Sequence, residues 1–124
     1  MICRAKSLLT NEFVEGGFIQ GKHAWIVQIK EDGTFSHILV DPDTAGRFTE
    51  LTDKDGNRIF EGDLIRYGNR TGYVNYGTGC FCIHDTASKN NPAIDMIKPI
   101  YDVKIIGNIH DNPELLQEVL HGDK

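Results

Sequence analysis

The sequence predicts a mainly β protein that ends in one short helix. Three observations carry that reading. Short apolar runs rich in β-branched and aromatic residues recur between Asp-Gly and Gly-x-Gly turns. Helical periodicity is nearly absent before residue 112. Residues 112–122, NPELLQEVLHG, then combine a capping residue, a proline suited to the first helical position and an apolar stripe.

The clearest element is AWIVQIKEDGTFSHILV, residues 24–40. Asp32-Gly33 suits a two-residue hairpin turn with positive φ at both centres. Counting outward, Glu31 faces Thr34, and Trp25–Val40, Val27–Ile38 and Ile29–Ser36 share one side. Ile26–Leu39, Gln28–His37 and Lys30–Phe35 share the other. The first side is the more apolar, so it is expected to face the core with Trp25 buried. DPDTAGRFTE, 41–50, reads as a turn-rich connector, and a tight Asp55-Gly56 turn follows.

A second β region holds DLIRY at 63–67, TGYVNY at 71–76 and CFCIH at 80–84, the last two joined across Gly77-Thr78-Gly79. TASKNNPAIDMI, 86–97, is a loop broken at Asn91-Pro92. PIYDVKIIGNI, 99–109, alternates as a strand with Tyr101, Val103 and Ile105 on one face. In the closing helix Asn112 is the N-cap, and Leu115, Leu116, Val119 and Leu120 form the stripe, with Gly122 at the end. The expected organisation is one domain over 1–124. Residues 1–50 form a hairpin part, and 51–124 a small barrel-like β part with the helix.

At 124 residues, 40% hydrophobic and 25% charged, the chain has the composition of a globular domain with a real core. No apolar run approaches the roughly 20 residues of a membrane helix. The start, MICRAKSLLTNEF, lacks an apolar core with a cleavage site. Three cysteines, an odd count, point to reduced thiols and a cytoplasmic setting rather than a disulfide framework. A net charge of −5 argues against a binder that relies on neutralising phosphates, although a local basic patch is compatible with it.

Four groups of residues invite a chemical reading. Asp53-Lys54-Asp55-Gly56-Asn57 looks like the start of a calcium loop. An EF-hand, however, needs glycine sixth and glutamate twelfth, where this chain has glycine fourth and Leu64 twelfth. Glu61 and Asp63 flank Gly62 and suggest paired carboxylates, but a turn into a strand does not separate their environments. The better reading is a strand start where a side chain will not fit at Gly62. Cys80, Cys82 and His84 share a strand face and are zinc-ligand types. Residues two apart on a strand lie roughly 7 Å apart, too far to converge on one ion at bond lengths near 2.0–2.3 Å. No nucleophile elbow, dinucleotide fingerprint or phosphate loop occurs, and the histidines at 23, 37, 84, 110 and 121 are scattered. Finally, Arg66, Arg70, Tyr73 and Tyr76 interleave cations with aromatic rings as stacking surfaces do. DLIRY…TGYVNY…CFCIH also resembles the rhythm of SH3-like barrels.

DPDTAGRFTELTDKDGNRIFEGDLIRY, 41–67, with IIGNIHDNPELL, 105–116, resembles the YopX family of phages and prophages. Its members show a similar VDPxTxGxFTGLxDKNGKxIFEGD block and an IGNIxxNPELL close. The chain departs from that pattern at Glu50, where the family has glycine, and the expectation is that the bend there needs no positive φ. The resemblance implies a mainly β fold of bent, coiled antiparallel sheets with a short C-terminal helix. It implies no activity and no catalytic residues. The expectation is therefore a non-enzymatic accessory protein without cofactor, metal or small-molecule substrate, acting on a protein partner, a second copy of itself included. The alternative is a nucleic-acid-binding small barrel using Arg66, Arg70, Tyr73 and Tyr76.

Overall fold

The five residues KEDGT at 30–34 fix the geometry of the first hairpin. In the computed structural model, which describes residues 2–68, 70–77, 80–85, 93–95 and 103–114, Gly33 N–H donates to Lys30 O at 2.9 Å and Lys30 N–H to Thr34 O at 2.7 Å. Gly33 has φ +86°, and Asp32 is not among the positive-φ residues. This is a type I turn followed by a left-handed glycine, a three-residue loop rather than the predicted two-residue one. Asp32 Oδ1 accepts the Thr34 hydroxyl at 2.6 Å and its N–H at 2.9 Å. Those two bonds hold the Asp32 carboxyl below its ordinary pKa.

One extra loop residue shifts the register by one. Strand β3 (Ala24–Ile29) pairs with β4 (Phe35–Thr52) as Ala24↔Val40, Trp25↔Leu39, Ile26↔Ile38, Val27↔His37, Gln28↔Ser36 and Ile29↔Phe35. Because side chains alternate, every β3 residue changes face. The predicted pairing of Trp25 with Val40 is therefore corrected. Ala24 and Ile26 are buried with Val40, while Trp25 and Val27 lie on the outer side, only half-buried.

The segment 41–50, expected to be a connector, is strand. β4 runs for 18 residues through it. β1 (Cys3–Ser7) pairs along it as Ser7↔Val40 and Lys6↔Asp41, then as Arg4↔Gly46 and Cys3↔Arg47. The register jump is a bulge that takes up the turn-forming residues. Pro42 falls within it, where the ladder does not need its missing N–H. Thr44 fastens the bulge by donating its hydroxyl to Asp41 O at 2.7 Å and accepting Lys6 N–H at 2.8 Å.

The chain divides into two compact units, Met1–Phe48 and Thr49–Lys124. In the first, β2 (Phe13–Gln20) pairs with both β1 and β3, and β4 pairs with both β3 and β1. The four strands thus close a circuit around Ala5, Ala24, Ile26 and Val40, with Val14, Phe18 and Ile38 packed against them. This closure lies in the N-terminal unit, whereas the sequence suggested a barrel-like part at 51–124.

In the second unit the end of β4 turns back into β5 (Arg58–Phe60). A five-stranded antiparallel sheet follows in the order β10-β6-β7-β8-β9. Its strands are β6 (Asp63–Tyr67), β7 (Arg70–Gly77), β8 (Cys80–Asp85), β9 (Ala93–Asp95) and β10 (Val103–Asn108). β7 and β8 form the expected hairpin, from Gly72↔Asp85 to Gly77↔Cys80. No pairing among the described residues closes this sheet into a barrel. Its core is Ile59, Ile65, Tyr67, Val74, Ile83 and Val103, with Leu51, Phe81 and Ile105 against it. Of the predicted closing helix, Pro113 and Glu114 have helical geometry. Its stripe of Leu115, Leu116, Val119 and Leu120, and Tyr101 before it, fall outside the described residues.

Candidate functional site

Asp53 carries the first candidate, and its carboxylate is fully engaged by its own chain. Oδ1 accepts the N–H of Asp55 at 3.0 Å and of Asn57 at 2.8 Å. Oδ2 accepts the Asn57 side-chain amide and, across 52 residues of sequence, the N–H of Ile105, both at 3.3 Å. Burial pushes the Asp53 carboxyl up, but these bonds outweigh it and hold the pKa below the ordinary 3.8. Gly56, at φ +85°, donates to Asp53 O at 3.0 Å, and Asp53 N–H donates to Asn57 O at 2.8 Å. This is the 30–34 loop repeated in a second place. DKDGN is thus a turn whose first residue also ties β10 down, aided by Lys54 N–H on Val103 O. The Asp53 carboxylate is thus buried and used within the turn.

Glu61 and Asp63 part in the same way. Asp63 is 1% exposed, and its Oδ2 accepts Phe60 N–H at 2.8 Å, closing the turn between β5 and β6. Glu61 is half-buried at that turn. Gly62 is required by its φ of +91°, not by crowding as expected. A Cβ there would meet Ile109 and His110 at an ordinary 3.5 Å. Gly62 O accepts Ile109 N–H at 2.8 Å, so this turn is also braced by the segment after β10.

That segment completes a framework. Asn108 Oδ1 accepts the N–H groups of His110 and Asp111 at 3.0 and 2.8 Å. Asn112 Oδ1 accepts Asn108 N–H at 3.2 Å, and Asn112 N–H donates to Asn108 O at 2.9 Å. A Cβ on Gly107 would sit 2.6 Å from Asn112 Oδ1, so only glycine lets that side chain approach.

On β8, Ile83 is buried and Phe81 packs against the core, as expected for one face. On the other, Cys82 is a half-buried thiol opposite Asn75, and the His84 ring stacks on Tyr73 at 5.0 Å and 17°. No group of three potential metal ligands occurs among the described residues. The stacking set does not assemble as a unit. Arg66 pairs with Thr71 and Leu64 with Tyr73, which puts the exposed Arg66 and half-buried Tyr73 on the face of Leu64, opposite that of Ile65 and Val74. Arg70 and Tyr76 alternate with them on β7 and share the face of Val74, with Tyr76 edge-on to Phe81 at 4.9 Å.

Sequence reasoning missed the outer face of the β2–β3–β4 sheet. The observed register lines up Ile19–Trp25–Leu39, Gly17–Val27–His37 and Ile29–Phe35 on it. Ile19 is 57%, Ile29 72% and Phe35 60% exposed. Ile19, Trp25, Val27 and His37 line a depression of about 190 Å³. His23 meets the Trp25 ring edge-on at 6.5 Å. The signal was present in Ile29 and Phe35, which flank the turn, but the two-residue loop placed them on opposite faces.

Over residues 4–117 the chain matches the family described as YopX protein. The chain belongs to the YopX family. No curated protein matches it. Among the residues that carry the YopX resemblance, Asp53, Gly56, Gly62, Asp63, Gly107, Asn108 and Asn112 belong to the hydrogen-bonded framework just described. Glu50 departs from the YopX pattern at a cost, because its φ is +69°. The bend keeps the left-handed conformation that glycine would adopt freely, contrary to the expectation for this position. Thr49 braces it, its hydroxyl donating to Ile59 O at 2.8 Å and accepting Leu51 N–H at 3.2 Å.

Proposed function

We propose that the chain is a non-enzymatic, cytoplasmic accessory protein of phage type that works by protein contact, with a second copy of itself as first partner. The observation that supports this is the apolar outer face of the Met1–Phe48 unit, where Ile19, Ile29 and Phe35 stand exposed around Trp25 and Val27. Contiguous exposed apolar surface of this kind marks interaction sites. Copies with a net charge of −5 repel one another, so they meet best where neither presents charge. Within the three rows of this face the only titratable side chain is His37. An exposed β face also packs on its own image across a two-fold axis, with sheets about 10 Å apart.

Of the two carboxylates that looked catalytic, Asp63 is buried and accepts Phe60 N–H, which favours a binding role over an enzymatic one. The test is light scattering on the full chain beside the double variant Ile29→Glu, Phe35→Glu. Both positions are exposed, so the variant keeps its fold by circular dichroism. The wild type should form a reversible dimer or higher species that the variant does not. A wild type that stays monomeric to high micromolar concentration would overturn the reading.

A further inference from the structure

The Leu64 face of the C-terminal sheet gathers side chains that the sequence scatters over 39 positions, from 66 to 104. Lys104 on β10 lies directly opposite Arg66 on β6, and Arg66 lies opposite Thr71 on β7. The neighbouring row on the same face places Tyr73 opposite His84, their rings stacked. Arg66 and Lys104 are both exposed. Neither has an ion pair or side-chain hydrogen bond among the described residues.

Two cations placed opposite each other on one face work against the sheet. The acids near them in sequence do not relieve this. Asp53 is engaged by the N–H groups of Asp55, Asn57 and Ile105, and Asp63 by that of Phe60. Neither carboxylate pairs with Arg66 or Lys104, so the two cations stand without an acidic partner among the described residues.

We propose that this face binds single-stranded nucleic acid, with backbone phosphates on Arg66 and Lys104 and a base against the Tyr73–His84 stack. Paired cations beside rings are what a phosphodiester chain with unstacked bases requires, since every base has a face to stack and every linkage a charge. A duplex hides its base faces and offers only the two phosphate contacts, so the single strand is favoured. The overall charge of −5 does not exclude the site, because exposed charges more than about 8–10 Å away are largely screened at physiological salt. It does make binding modest, in the micromolar range.

The experiment is fluorescence anisotropy on the full chain with labelled oligo-dT and oligo-rU, titrated over salt, beside a duplex and inorganic polyphosphate. Two phosphate contacts give a log–log salt slope of about −1.4 for a single strand. Arg66→Gln with Lys104→Gln should weaken binding at least tenfold and flatten that slope. Tyr73→Leu should weaken it about 5- to 150-fold, the range of one lost base stack, with the slope kept. Lys22→Gln, an exposed cation in the other unit, should change nothing. The stronger of the DNA and RNA arms identifies the natural strand. No wild-type binding at high micromolar protein would overturn the proposal. So would equal weakening by Lys22→Gln, or polyphosphate held as tightly as the oligonucleotides with Tyr73→Leu silent. Self-association through the other unit can fail without affecting any of these outcomes.

Discussion

Glu50→Gly should stabilise the protein, and the size of the gain follows from the backbone. Glu50 sits at φ +69°, in the left-handed region that costs an L-residue roughly 1–2 kcal/mol. Glycine removes that cost but enlarges the unfolded ensemble, an opposing effect of about 0.4–1 kcal/mol. The side chain is exposed and makes no hydrogen bond or ion pair among the described residues, so little else is lost. The net expectation is a gain of about 0.8 kcal/mol, the difference between the midpoints of those two ranges. With a urea slope of about 1–3 kcal/mol per molar, the midpoint should rise by roughly 0.3–0.8 M at unchanged slope. Far-UV circular dichroism is the suitable probe, because the single tryptophan, Trp25, lies in the other unit. Glu50→Asn should fall between wild type and glycine, since asparagine tolerates this region better than most residues. Glu50→Val should be worse than wild type. A glycine variant less stable than wild type, or a valine variant equal to it, would show that the bend carries no conformational cost.

Three further outcomes follow from the same structure. Ile26→Ala should cost about 2–5 kcal/mol as a deletion in a sealed core, while Trp25→Ala on the half-exposed outer face should cost distinctly less; the reverse order in urea titrations would restore the two-residue turn. Asp53→Asn should lose about 1.5–3 kcal/mol through weakened charged hydrogen bonds. Because the folded-state pKa of Asp53 lies below 3.8, its contribution is complete above that value and is lost as pH falls through the folded-state pKa. The variant's stability should therefore change less with acid below about pH 4 than the wild type's, and parallel acid limbs would refute the assignment. Gly107→Ala should destabilise by about 1–3 kcal/mol through crowding of Asn112, and pairing it with Asn112→Ala should recover part of the loss; simple additivity would place the strain elsewhere.

The sequence by itself determined the strands on either side of the 30–34 turn, those at 63–67, 71–76, 80–84 and 103–108, and the two Asp-Gly turns. Asp-Gly at 32–33 and 55–56 marked both loops correctly, because only glycine takes a left-handed turn position without cost. It did not determine the loop length. Asp-Gly serves a two-residue and a three-residue turn equally well, and that single residue decides whether Trp25 or Ile26 is buried. In the structure Ala24 and Ile26 lie buried inside the four-strand circuit and the indole stays half-buried outside it. The circuit itself was also beyond local reading. It requires β1 to find β4 some forty residues away, and a stretch as rich in turn formers as DPDTAG becomes strand only when a partner absorbs it as a bulge. The same holds for the surfaces. Residues 66 and 104 are remote in sequence, and only strand pairing brings Lys104 beside Arg66. Period-two alternation sorts side chains into two sets; only long-range pairing decides which set meets water and what stands next to it.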